Sequence, residues 1–120
     1  MKIVIIEDDS VTAKVYSTVL AREGFEVEVA HDGREGVQAV AEQNPDVILL
    51  DLMLPYVNGI DLIKQIKKYT DYKGLIYAYT NAYTAKMVSD AYAAGAKEVF
   101  NKALFTPTKF AELLAPAPSH

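Results

Sequence analysis

Two hydrophobic periods alternate along the whole chain, and that alternation constrains the fold more than any single motif. Residues 2–8 (KIVIIED), 25–30 (FEVEVA), 46–51 (DVILLD), 74–80 (GLIYAYT) and 97–102 (KEVFNK) read as strands. Each is followed by a segment with apolar residues at helical spacing. The first and third runs are continuously apolar until their acidic ends, as in strands buried on both faces. The second alternates, with Glu26 and Glu28 on one side, the pattern of a protected edge strand. Five strand–helix units in succession predict an α/β fold, a parallel sheet doubly wound by helices on both faces. Five units are too few for an eight-stranded barrel, so the sheet is expected to be open. The edge-like second strand and the short fifth suit the flavodoxin-like order 2-1-3-4-5, whose topological switch lies between strands 1 and 3.

Local signals punctuate the helices. Ser10 is expected to cap the first, which runs through Glu23 with Val11, Val15, Val19 and Leu20 on one side and stops at Gly24. Asp32 and Glu35 form a capping-box pair for a helix to about Gln43, before Pro45. Asn58 caps a third helix carrying Leu62, Ile63 and Ile66. The fourth covers residues 84–94 and closes at Gly95. Thr106-Pro107 opens the fifth, with Phe110, Leu113 and Leu114 inward. Tyr77 and Tyr79 are expected in the core, whereas Tyr83 and Tyr92 are candidates for a protein-binding face. The domain is expected over residues 1–115, with 116–120 a frayed tail.

Composition narrows the classes. A 120-residue chain with 51% hydrophobic and 23% charged residues is one globular domain rather than a disordered segment. The absence of cysteine removes disulfides and thiolate metal sites and fits a reducing cytosol. No signal-peptide pattern and no apolar run of membrane-spanning length is present, so a cytoplasmic location without membrane contact is expected. A net charge of −4 argues against non-specific nucleic-acid binding, which needs a basic face.

In such sheets ligands bind at the carboxyl ends of the strands, at the switch point. Strand 1 ends in Glu7-Asp8-Asp9, strand 3 in Asp51, strand 4 in Thr80 and strand 5 in Lys102. Several carboxylates converging on one crevice repel one another, which either raises a pKa or recruits a hard cation. An all-oxygen cluster without His or Cys favours Mg²⁺, or Mn²⁺. A carboxylate nucleophile, a divalent cation, a lysine and a hydroxyl make a phosphoryl-accepting site.

These residues resemble the receiver domain of two-component response regulators over nearly the whole chain. The resemblance rests on the acidic pair after strand 1, on D-x-x-x-P-x-x-x-G from Asp51 to Gly59, on Thr80, on the AGA at 94–96 and on Lys102. It implies that Asp51 is the phosphoacceptor, Asp8 a direct metal ligand, Glu7 a ligand acting through water, and Met53 a backbone-carbonyl ligand. It implies that Thr80 and Lys102 bind the phosphoryl oxygens. The implied donor is a sensor histidine kinase or histidine phosphotransfer protein. The implied output is a changed helix 4–strand 5–helix 5 surface that binds a downstream protein. Neither His31 nor His120 is a credible phosphohistidine of the chain itself. The chain ends soon after the fifth helix, so a stand-alone receiver, not an enzyme beyond its own phosphorylation and dephosphorylation, is expected.

Three positions depart from the family pattern. Ala103 stands where proline usually follows the lysine, so a trans bond is expected there. Val99 stands at the usual aromatic position, with Phe100 displaced by one residue and hence facing the other side of the sheet. Asn81 follows Thr80 where a small residue is usual. The first two motivate a rival reading, a pseudo-receiver that binds partners without phosphorylation. A Mg²⁺-dependent phosphatase would want a second aspartate at Met53, and an FMN site would not tolerate Glu7-Asp8-Asp9 beside a phosphate.

Overall fold

Residues 1–115 are described by the structure, a computed structural model, so the expectation for the tail at 116–120 lies outside the described residues. The elements are β1 (Lys2–Ile6), α1 (Ser10–Arg22), β2 (Glu26–Ala30), α2 (Gly33–Gln43), β3 (Val47–Asp51), α3 (Gly59–Thr70), β4 (Leu75–Thr80), α4 (Ala85–Ala94), β5 (Glu98–Asn101) and α5 (Pro107–Leu114). All strand pairs are parallel and the order is β2-β1-β3-β4-β5, as the sequence predicts.

The parity of each strand divides the core into two layers. Ile3, Ile5, Val47, Leu49, Tyr77 and Tyr79 face α1 and α5, where Tyr16, Leu20, Phe110 and Leu114 meet them. Val4, Ile6, Ile48, Leu50, Ile76, Ala78 and Val99 face the other side, against Val40, Leu62, Ile63, Ile66 and Ala91 of α2, α3 and α4. Both β1 and β3 are buried on both faces, which explains their unbroken apolar runs. On β2 the two glutamates remain exposed at the sheet edge.

Strand and helix ends differ from expectation by one or two residues, as helix and strand termini commonly do. β1 stops at Ile6 rather than Asp8, and β5 spans Glu98–Asn101 rather than 97–102. Capping at α1 is corrected: the cap is Asp9, whose carboxylate accepts from the Thr12 N–H, and Ser10 is already helical. The inward face of α1 also differs from expectation. Ala13, Tyr16 and Leu20 are buried, while Val11 and Val15 are 70% and 47% exposed. Leu113 of α5 is likewise exposed, and Ala111 takes the inward position beside Phe110 and Leu114.

Most other caps stand as expected. Asp32 accepts from the Glu35 N–H at 2.8 Å, and Glu35 reaches back to the His31 N–H at 2.8 Å. Asn58 accepts from Ile60 and Thr106 from Lys109; Thr84, expected inside the fourth helix, instead caps it and accepts from Met87. Asn44, at φ 43° before Pro45, ends α2, and Gly24 supplies a φ of +93° after α1. Among the described residues no peptide bond is cis, including Lys102–Ala103.

Candidate functional site at the carboxyl edge of the sheet

Register decides which side chains meet. Glu7 continues the Ile3–Ile5 series of β1, Asp51 the Val47–Leu49 series of β3, and Lys102 lies two beyond Phe100 of β5. All three therefore share the α1/α5 side of the sheet with Tyr79, which pairs with Asp51 across β3 and β4. The ladder persists past the strand ends: the Glu7 N–H donates to Ala30 O at 3.0 Å and the Lys102 N–H to Thr80 O at 2.9 Å. Position is thus fixed by backbone pairing, and only the side-chain tips remain free.

The tips form one ionic cluster. The Lys102 ammonium donates to Glu7 Oε1 at 2.6 Å and to Asp51 Oδ2 at 3.0 Å. Asp51 Oδ1 accepts from the Met53 N–H at 2.8 Å. Glu7 is 0% exposed and Asp51 4%, whereas Asp8 is exposed. Burial pulls the Lys102 pKa down, but hydrogen bonds and charges from Glu7 and Asp51 outweigh it, and the net shift is upward. The lysine is therefore fully charged at neutral pH. It reaches both carboxylates through a trans Lys102–Ala103 bond, without the usual proline.

One ammonium does not neutralise three carboxylates. Carboxylate oxygens of Glu7, Asp8 and Asp51 lie within 4.8 Å of one another. At an effective dielectric near 20, a like-charge pair at that separation repels by roughly 3–4 kcal/mol. The donor set is all oxygen, partly exposed on the Asp8 side, and free of His and Cys, which is the chemistry of a hard divalent cation. The residues present fit Mg²⁺ or Mn²⁺.

The cleft around this cluster encloses about 570 Å³. Its acidic wall is Glu7, Asp8, Asp9 and Asp51, and its apolar wall is Val11, Val15, Tyr16 and Phe105. Asn81 also lines it, so the departure after Thr80 does border the site. Thr80 is fully buried, and its hydroxyl oxygen accepts from the Ala82 N–H at 3.0 Å. Met53 presents its side chain to solvent, its N–H held by Asp51. Val99 and Phe100 occupy opposite core layers, as the one-residue displacement requires.

Tyr79 belongs to this site, although its sequence position reads as core. The ring is core, at 0% exposure, with Tyr16 edge-on at 5.4 Å. Its hydroxyl donates to Glu7 Oε1 at 2.6 Å, and Lys102 Nζ lies 4.7 Å from its ring centroid. Burial, then the Glu7 charge and hydrogen bond, drive its pKa far above the ordinary tyrosine value, so the hydroxyl is a fixed donor. The signal was available: Tyr79 is one residue from the strand end and in register with Asp51, and a tyrosine's hydroxyl extends well past its own backbone.

An open doubly wound sheet thus carries an acidic, lysine-closed crevice at its switch point. The chain belongs to the response regulator receiver domain family, whose model matches residues 3–115. The DNA-binding response regulator MtrA of Mycolicibacterium paratuberculosis is 42% identical over 66 residues, covering 55% of this chain and 29% of that protein. The aligned stretch is thus under a third of the relative's length. The signal receiver domain of the DNA-binding response regulator protein merR from Colwellia psychrerythraea 34H superposes with a TM-score of 0.85 at 27% identity, over 95% of this chain and 94% of that one. The chemotaxis protein CheY4 of Vibrio cholerae gives a TM-score of 0.85 at 26% identity, over 94% of each chain. Among the described residues no helix is long and apolar enough to cross a membrane.

Proposed function

We propose that Asp51 accepts a phosphoryl group from a phosphohistidine of a sensor kinase or a histidine phosphotransfer protein. The observation that carries this reading is the placement of Asp51: a carboxylate at the end of a fully buried strand, 3.0 Å from the Lys102 ammonium and beside two further carboxylates. One Asp51 oxygen attacks phosphorus, the donor's N–P bond breaks, and its electron pair returns to the imidazole nitrogen, which takes up a proton. The product is an acyl phosphate on Asp51.

An anionic nucleophile approaches an anionic phosphoryl group, so positive charge must be in place beforehand. Asp8, Asp51 and the Met53 carbonyl would hold a divalent cation, with Glu7 reached through water, and bound there the ion supplies that charge. Lys102 moves from Asp51 Oδ2 to a phosphoryl oxygen, and the Thr80 O–H, whose oxygen already accepts from Ala82, donates to another. Exposed Tyr83, Tyr92 and Leu104 lie on the α4–β5–α5 side, where a changed surface would meet a downstream protein. Residues 1–115 would act as one such unit in the cytoplasm.

Incubation with Mg²⁺ and acetyl phosphate tests the reading. Intact mass is expected to rise by one phosphoryl group, and Asp51→Asn is expected to abolish the gain. No gain with either acetyl phosphate or a panel of phosphohistidine donors would leave the pseudo-receiver reading, which the buried Val99 at the usual aromatic position favours.

A further inference from the structure

Glu7 presents a physical problem that its neighbours solve in two different ways. A carboxylate without any exposed surface needs donors on its oxygens to remain charged. Glu7 has three: the Asp9 N–H on Oε2 at 3.1 Å, and both Lys102 Nζ and the Tyr79 hydroxyl on Oε1 at 2.6 Å. The two donors on Oε1 differ in mobility. Lys102 carries its ammonium on a flexible four-carbon stem, only partly buried, and divides it between Glu7 and Asp51. Tyr79 is held at its backbone by β4 pairing and at its fully buried ring by contact with Tyr16.

We propose that Tyr79 is a positioning residue for phosphoryl transfer: its hydroxyl anchors Glu7 so that Lys102 can leave that carboxylate and serve the phosphoryl group on Asp51. This rests on the phosphoacceptor role of Asp51. With the anchor present, departure of Lys102 leaves Glu7 with donors on both oxygens. Without it, Lys102 is the one protein donor on Oε1 among the described residues, and releasing the ammonium leaves that buried oxygen short of a partner. Tyr79 thereby acts through Glu7 and Lys102 and touches no reacting atom.

Tyr79→Phe removes the hydroxyl and keeps the ring. It is expected to slow Mg²⁺-dependent phosphorylation by acetyl phosphate about tenfold, the kinetic equivalent of one hydrogen bond to a charged group. A merely structural tyrosine could also slow the reaction, so the decisive measurement is a double-mutant cycle with Glu7→Gln, whose neutral amide makes no such demand on Lys102. In the Glu7→Gln background, Tyr79→Phe is expected to change the rate less than twofold. Urea unfolding of the same four proteins should show the same coupling, which checks the anchor in protein that has never met a donor. Equal rate losses in both backgrounds would overturn the proposal and leave the phosphoacceptor role standing. Failure of the wild-type chain to take up phosphate from any donor would instead remove that role, and this proposal with it.

Discussion

Lys102 is the only cation lining the acidic cleft among the described residues, and its removal should expose what it offsets. Lys102→Met leaves buried Glu7 and Asp51 with a charge deficit, a loss of about 3 kcal/mol in the absence of divalent cation. Added Mg²⁺ is expected to restore more stability to the variant than to the wild type, as read by urea midpoints with and without the ion. The pH dependence has a definite sign. The folded pKa of Lys102 is raised, so its contribution is whole below the ordinary lysine value near 10.4 and is lost as pH climbs through the higher folded value. The stability gap between wild type and variant should therefore be flat from pH 7 to about 10 and close only above that. That Lys102 flanks an acidic crevice was legible from strand ends alone, because parallel pairing carries the ends of β1, β3 and β5 to one edge; that it bonds Glu7 and Asp51 was not. That Oε1 of Glu7 also accepts from Tyr79 was not, since a tyrosine in a strand satisfies the core pattern whatever its hydroxyl does.

The β3–α3 junction ties helix packing to the placement of the acceptor carboxylate. Gly59 begins α3 with its N–H donating to Leu52 O at 3.1 Å, and a Cβ there would stand 2.4 Å from Leu52 Cα and 2.9 Å from Asp51 O. Backbone, unlike a side-chain tip, cannot swing aside. Gly59→Ala should therefore push α3 off the strand end, costing about 2 kcal/mol in denaturant unfolding. It should also slow phosphorylation of Asp51 by acetyl phosphate, because the displaced chain carries the carboxylate with it. The Asn-Gly pair marks the helix start in sequence, and that much was legible. The inward face of α1 was not. Val11, Val15 and Val19 follow helical spacing as well as Ala13, Tyr16 and Leu20 do, and periodicity does not choose between two apolar stripes. Tertiary packing chose: the Tyr16 ring fills the space beneath Tyr79 and Phe105, where a valine would leave a void.

Over the whole molecule, strand parity wrote most of the architecture. Each odd–even alternation assigns a residue to the α1/α5 layer or the α2–α4 layer, and the displaced Phe100 obeys it by stacking on Phe105 at 4.0 Å while Val99 turns the other way. Strand order followed from which strands carry charge and which are short. Aromatic rings then join the two ends of one layer: Tyr79 meets Tyr16, Tyr16 meets Phe105, and Phe105 meets Phe100 and Phe110. This chain of contacts runs from the acidic cleft to β5 and α5, and no local signal in the sequence announces it.

Burying one tyrosine hydroxyl against Glu7 also has an optical consequence. The chain contains eight tyrosines and no tryptophan, so its near-ultraviolet absorption is tyrosine absorption, with only weak phenylalanine bands beneath. Tyr56, Tyr69, Tyr83 and Tyr92 are exposed and line no part of the acidic cleft, so they form a constant background. Tyr79 alone donates to a carboxylate and lies under an ammonium. A Mg²⁺ titration followed by difference spectroscopy should therefore give a saturable tyrosine band shift that Tyr79→Phe reduces, with Tyr16 in the cleft wall supplying the remainder. The protein carries its own dye, placed at the cleft by the same strand that lines up with the acceptor aspartate.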